Sequence, residues 1–260
     1  MKILYIGDIM AEPGIKIVEE ILPKIRQEHS PDLVIAQAEN VSEGKGMTVT
    51  DMQHLQRVGV DFFTGGNHTS ARNELGSLLS DPNSPVIGPV NMPDCPGLGY
   101  KYLTIKGQKV MIISVMGSKV GKEIIIDNPL ISIDKVLGLR DKDTSFTVVN
   151  FHGDYSSEKR IFGYYLDGRV TAVIGDHWHV PTADALVLPK GTAHITDVGM
   201  CGTLHSSLGV TFDSVIPRWK DGSITKNEIE IRGPLQFNAV MVTTNQNGLA
   251  DSIESIQIIK

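Results

Sequence analysis

The stretch Ile3-Leu4-Tyr5-Ile6-Gly7-Asp8 is an apolar run that ends in a glycine and a carboxylate. Apolar runs of four to eight residues bounded in this way are typical of buried strands. The pattern recurs along the chain, and most of the later runs are also followed by polar residues. The further runs are residues 33–36, 60–63, 110–115, 146–151 and 170–174. The sequence therefore predicts a sheet whose strands end at a common polar edge.

Helical patterns separate the first strands. A helix that starts near Pro13 and is kinked by Pro23 has its apolar face on Ile15, Val18, Leu22 and Ile25. A shorter amphipathic stretch precedes the third run, so the first third reads β-α-β-α-β and implies parallel pairing. After about residue 185 strand-like segments dominate, and residues 217–233 read as a polar surface excursion. We expect an α/β fold in which one domain spans residues 1–260.

Composition excludes several classes of protein. The 260 residues include 24 Lys and Arg against 30 Asp and Glu, a net charge of −6 that argues against a charge-driven duplex nucleic acid partner. Two cysteines are too few for a disulfide framework. No apolar run is long enough to cross a membrane, and no signal peptide is recognisable, so we expect a soluble cytoplasmic protein.

Five clusters of metal-type side chains follow the apolar runs. Taken singly, Asp8 would cap a helix, Asn67 would sit in a glycine turn and His152 would be a core histidine. Taken together, they favour a shared ligand, because buried acids and histidines without partners cost several kcal/mol each. The clusters contain Asp8, Glu39-Asn40, Asn67-His68, His152 and His177-Trp178-His179.

The donor types predict two metal ions. The seven donors exceed one tetrahedral zinc site and include no cysteine. Mixed imidazole, carboxylate and amide ligands suit Fe, Mn or Zn. Two ions bridged by a carboxylate, about 3.5–4 Å apart, clamp a phosphoryl group and activate water, which predicts phosphoester hydrolysis without a protein nucleophile. The predicted ligands are Asp8, Glu39, Asn40, Asn67, His152, His177 and His179.

The same residues resemble the calcineurin-like metallophosphoesterases, and more closely the YmdB family of bacterial phosphodiesterases. The resemblance covers most of residues 1–210 and is loose beyond Gly209. Its most specific strings are Gly7-Asp8-Ile9, Ala38-Glu39-Asn40, Gly66-Asn67-His68-Thr69, Phe151-His152 and residues 177–184.

This resemblance implies a four-layered α/β/β/α metallophosphoesterase sandwich with mixed sheets. It also implies hydrolysis of a cyclic nucleotide such as 2′,3′-cyclic AMP by metal-bound hydroxide, with His68 assisting the leaving group. Two divalent or trivalent ions are implied, Fe or Mn first and Zn or Mg as alternatives, in a chain that forms a homo-oligomer. By position, Glu39 would bridge one ion held by Asp8, Asn40 and His179 and another held by Asn67, His152 and His177.

The sequence departs from the family pattern beside the ligands. Ala11-Glu12, Ser70-Ala71 and Gly153-Asp154 replace residues usual in the family, whereas the metal ligands are unchanged, so these departures bear on the substrate. Two alternatives stay open: a phosphomonoesterase or nucleotidase with the same metals, and a slow regulatory nucleotide-binding protein. The string from Ser156 to Lys159 predicts either a phosphate-positioning segment or a helix start capped by hydroxyls.

Overall fold

Two β-sheets lie face to face in the computed structural model, which describes residues 1–120 and 124–260. Among these residues the strands are β1 Lys2–Ile6, β2 Asp8–Ile9, β3 Leu33–Gln37, β4 Phe62–Thr64, β5 Tyr100–Ile105, β6 Gln108–Met116, β7 Thr144–His152, β8 Ala172–Asp176, β9 Leu186–Val187, β10 Ala193–Ile195, β11 Met200–Thr203, β12 Leu235–Thr244 and β13 Ala250–Ile259. The α-helices are α1 Ala11–His29, α2 Val49–Val58, α3 Gly76–Ser80, α4 Pro129–Gly138, α5 Ser156–Tyr165 and α6 Phe212–Asp221.

Both sheets mix parallel and antiparallel pairs. The first runs β2-β11-β12-β1-β3-β4, with β13 also paired to β12. Its β1, β3 and β4 are mutually parallel, as the β-α-β-α-β pattern predicts, and β12 is antiparallel to β1. The second runs β5-β6-β7-β8-β10-β9, with a parallel centre from β6 to β10 and an antiparallel strand at each edge.

Alternation along β1 explains the layers. Ile3 and Tyr5 point into the core between the two sheets, whereas Leu4 and Ile6 point to the opposite face and join the core that contains the apolar side of α1. A third core lies between the second sheet and the helices α4 and α5. The expected α/β/β/α sandwich is therefore confirmed.

Two expectations for the helices are wrong. The strand-rich reading of the last third missed α6, which begins after Thr211, whose side chain accepts a hydrogen bond from the Ser214 backbone N–H. The predicted polar excursion consequently starts inside this helix. Helix α5 does begin at Ser156, but its N-cap is Tyr155 and no side chain caps it. Helix α1 contains Pro23, and the kink expected there stays a prediction.

The carboxyl ends of β1, β3 and β4 meet those of β7 and β8 at one edge of the sandwich. Glu39, just after β3, lies 3.1 Å from His152 at the end of β7, which joins the two sheets there. Among the described residues, no helix is both long and apolar enough to span a bilayer.

Candidate functional site

The first sheet supplies the oxygen donors of the site. Asp8, Glu39 and Asn40 are buried, and Asn67 is half-buried after β4. The Asn40 side-chain amide donates to both Asp8 carboxylate oxygens, at 3.1 and 3.0 Å. The backbone N–H of His68 donates to Glu39 Oε2 at 2.8 Å. These bonds fix the carboxylates at the edge of the sheet.

The second sheet supplies the imidazoles. His152 ends β7 and is fully buried, while His177 and His179 follow β8. The Nε2 atom of His152 lies 3.1 Å from Glu39 Oε1 and 2.8 Å from Asn67 Oδ1. The Nε2 atom of His179 lies 3.3 Å from Asp8 Oδ2.

All seven predicted ligands converge into two adjoining groups. Asp8, Asn40 and His179 form one group. The other group contains Asn67, His152 and His177, and the centroids of its two imidazole rings are 4.4 Å apart. Glu39 lies between the groups, 3.5 Å from the Asn40 amide nitrogen and 3.1 Å from His152 Nε2. Ligating atoms of Glu39, His152 and His177 all lie within 4.8 Å of one another. This donor chemistry fits a first-row transition metal ion.

Each of the three predicted histidine ligands uses one ring nitrogen to contact an oxygen outside the cluster. Such bonds fix the tautomer and the ring orientation of metal-binding histidines. The pairs are His152 Nδ1 with Asp176 Oδ1 at 2.7 Å, His179 Nδ1 with the Leu208 carbonyl at 3.1 Å, and His177 Nε2 with Asp154 Oδ1 at 3.1 Å.

Asp176 anchors a buried network that the sequence did not predict. Its Oδ2 accepts hydrogen bonds from Tyr5 Oη at 3.0 Å, from Gln37 Nε2 at 3.0 Å and from Asn150 Nδ2. All four side chains are fully buried within strands. The network therefore orients His152 from the space between the sheets.

Charge and burial set the protonation of the cluster. Burial alone would raise the pKa of Glu39, but the charges and hydrogen bonds of His152 and His68 together outweigh it and lower that pKa to about 2. Burial lowers the pKa of His177 to about 2, helped by the charge of His152, so its imidazole is neutral at neutral pH. Burial alone would lower the pKa of His152, but the charges and hydrogen bonds of Glu39 and Asp176 together outweigh it and raise that pKa. Metal binding would displace the His152 proton.

His68 lies beside the predicted ligands and lines an open cavity of about 560 Å³. Its Nε2 is 3.2 Å from the Asn67 side-chain nitrogen. Burial lowers the pKa of His68, against the opposing effect of Glu39. Among the described residues, the cavity is lined by Lys45, Asn67, His68, Ser70, Ala71, Arg72 and Ile124.

The three departures from the family pattern have different surroundings. Ser70-Ala71 lines the cavity, and Asp154 contacts His177. Ala11-Glu12 opens α1, where Ala11 has a φ of 53°.

A separate cavity of about 460 Å³, beside β10 and β13, carries no titratable side chain among its described lining residues.

Comparison with known proteins agrees with this architecture. The family described as YmdB-like protein matches residues 4–256. The 2′,3′-cyclic-nucleotide 2′-phosphodiesterase of Bacillus subtilis strain 168 is 38% identical over 222 residues, which cover 85% of this chain and 83% of that protein.

Two solved structures are similar over the whole chain. A crystal structure described as a novel phosphatase from Mycoplasma pneumoniae has a TM-score of 0.93 at 29% identity, covering 100% of this chain and 93% of the other. A hypothetical protein from Thermus thermophilus has a TM-score of 0.92 at 36% identity, with both chains fully covered. The fold and these relatives define a hydrolase of phosphoric esters. The chain belongs to the YmdB-like family.

Proposed function

We propose that this protein is a two-metal phosphodiesterase that hydrolyses a small cyclic nucleotide of the 2′,3′-cyclic AMP type. The observation that carries the proposal is the position of Glu39 between two groups of nitrogen and oxygen donors. A buried carboxylate flanked in this way is suited to bridge two ions. The name of the Bacillus subtilis relative supports the choice of a cyclic nucleotide.

The ligand sets follow from the two groups. Asp8, Asn40 and His179 would hold one ion, Asn67, His152 and His177 the other, and Glu39 both. When bound, the pair of ions would polarise the phosphoryl oxygens and lower the pKa of a coordinated water. The chain itself fixes the imidazoles through Asp176, Asp154 and the Leu208 carbonyl, and burial keeps the His177 imidazole neutral.

His68 is the proposed general acid. It adjoins Asn67 and Glu39 without entering either donor group, and its ring faces the open cavity. The lowered pKa makes the protonated imidazole a stronger acid but reduces the fraction that is protonated at neutral pH. In its protonated form the ring would donate to the leaving ester oxygen. General acids of this kind typically contribute about 10²–10⁴-fold to the rate.

The cavity beside His68 is the proposed site for the nucleoside. Its volume of about 560 Å³ is within the ordinary range for small-molecule sites. Lys45 and Ser70 offer polar groups to the ribose, while Ala71 and Ile124 offer apolar surface to the base. Arg72 is engaged elsewhere, with the carbonyl oxygens of Lys45 at 3.1 Å and Ser42 at 2.9 Å.

The test is turnover by metal-stripped protein reloaded separately with Mn, Fe, Zn or Mg. Substrates would be 2′,3′-cyclic AMP, an aryl phosphodiester and an aryl phosphomonoester, with His177→Ala as the inactive control. We expect both diesters to be cleaved faster than the monoester. Cleavage of the aryl diester alone would contradict the proposal that the substrate is a cyclic nucleotide. Preference for the monoester would favour a phosphomonoesterase. Tight nucleotide binding without turnover would favour a regulatory protein.

A further inference from the structure

The segment that carries two of the proposed ligands has an unusual backbone. His177 and His179 have φ angles of 104° and 62°, in the left-handed region that residues with a side chain rarely adopt. Such conformations persist only where the surrounding structure holds them in place. The contacts of Trp178, which lies between the two histidines, show how this turn is held.

The side chain of Lys159, on α5, contacts this turn. Its side chain is fully buried, and its Nζ donates to the Asp176 carbonyl and to Asp197 Oδ2, each at 2.7 Å. The same atom lies 4.2 Å from the centre of the Trp178 ring, within the range of a cation–π contact. The ammonium group is therefore directed at three points around the turn.

Asp197 completes the arrangement. Its Oδ2 also accepts the Trp178 backbone N–H at 2.9 Å, and its Oδ1 accepts the Gly199 N–H at 2.9 Å. The Trp178 indole N–H donates to the Asp154 carbonyl at 2.9 Å. Trp178 is thus held at its backbone, at its ring face and at its ring edge.

We propose that the buried Lys159–Asp197 ion pair is a positioning device that sets metal affinity by holding His177 and His179 in their strained turn. The inference rests on the proposed function. Stability alone is a weak reason for such a pair, because buried ion pairs are often replaceable by apolar side chains at little cost. Lys159 and Asp197 contact neither substrate nor metal in this proposal and act through the turn.

The decisive variant is Lys159→Met combined with Asp197→Asn, which removes both charges and leaves no unpaired buried ion. Mn²⁺ binding to metal-stripped protein would be measured by calorimetry, and folding by circular dichroism and thermal unfolding. We expect folded protein with at least about tenfold weaker Mn²⁺ binding, the size of effect seen when partners of metal ligands are removed.

Lys101→Met is the matched control, because Lys101 is also a buried lysine, and within the described part of the chain its Nζ bonds only residues 78–84. Its acceptors include the Leu78 carbonyl at 3.0 Å and Ser84 Oγ at 2.7 Å. We expect this control to lower the unfolding temperature without changing Mn²⁺ affinity. Trp178→Leu is a second test at a half-buried position, since it deletes both the ring that Lys159 Nζ contacts and the bond to the Asp154 carbonyl. It should weaken Mn²⁺ binding less than the double variant does.

Unchanged Mn²⁺ affinity in the folded double variant would overturn the inference while leaving the proposed function intact. If the double variant does not fold, unchanged affinity in Trp178→Leu, which lacks the ring that Lys159 contacts, would overturn it instead. Absence of Mn²⁺ binding to the wild-type protein would contradict the proposed function and, with it, this inference.

Discussion

His152 Nδ1 lies 2.7 Å from Asp176 Oδ1, and both fully buried side chains end neighbouring parallel strands of the second sheet. The other nitrogen of the same ring faces Glu39 and Asn67 of the first sheet. One imidazole therefore connects a carboxylate inside the sandwich to the donor cluster at its edge. This arrangement makes the role of Asp176 open to direct test.

Asp176→Asn should weaken Mn²⁺ binding by about 10–100-fold, because the substitution removes the charged acceptor that fixes the His152 tautomer. Calorimetry on metal-stripped protein measures this effect. Asp167→Asn is the control, since Asp167 is a buried acid that accepts the Lys190 N–H at 2.9 Å away from the histidines. The control should lower the stability of the fold without changing the Mn²⁺ affinity. Equal Mn²⁺ affinities in the two variants would contradict the role of Asp176.

His68→Ala should keep its metal and lose most of its turnover. The proposed acid lies outside both donor groups, so we expect wild-type Mn²⁺ stoichiometry with a kcat lower by about 10²–10⁴-fold. His177→Ala and Asn67→Ala should instead lose metal and activity together. Full activity in the metal-loaded His68→Ala protein would remove this histidine from the mechanism.

Ala71→Trp should discriminate against the nucleotide. The larger side chain would fill part of the cavity beside His68, which should raise KM for 2′,3′-cyclic AMP by about tenfold or more relative to a small aryl phosphodiester. Ser77→Trp, at a position on α3 outside the cavity lining, is the matched control. If both variants keep the wild-type ratio of KM values for 2′,3′-cyclic AMP and the aryl phosphodiester, the nucleoside does not occupy this cavity.

Neither cysteine should react readily in the native protein. Burial raises the pKa of Cys95 to about 11 and that of Cys201 to about 12, so both are protonated thiols at pH 8. The thiolate fractions at that pH are roughly 10⁻³ and 10⁻⁴, and each grows about tenfold per pH unit. Labelling with a disulfide reagent should be slow in native protein and complete in denaturant. Rapid native labelling would mean that one of these sites opens.

Much of the fold could be predicted because it follows from local patterns. The apolar run that forms β1, followed by a glycine and a carboxylate, is visible in the sequence itself. Alternate residues of this strand enter different cores. Helix α6 escaped prediction because Pro217 interrupts a pattern of only ten residues, in which Val215 and Ser214 are the buried positions. Short helices with so small a buried face leave little periodic signal.

The side chains that gather at the site could be predicted, because each comes where an apolar run of the sequence gives way to polar residues. The network around Asp176 could not, since its partners Tyr5, Gln37 and Asn150 come from distant parts of the chain and meet only through sheet packing. The string that ends in Lys159 suggested either phosphate positioning or a capped helix start, and neither interpretation anticipates a fully buried lysine. Only the packing of α5 against the second sheet reveals that it is buried.

The division of donors between the sheets bears on how the chain matures. Every oxygen donor of the proposed centre belongs to the first 67 residues, whereas every imidazole donor comes after residue 151. A growing polypeptide therefore presents the proposed oxygen ligands well before the proposed imidazole ligands are synthesised. If these residues hold the ions as proposed, neither half of the chain would carry a complete site. Metal capture would then follow the docking of the two sheets.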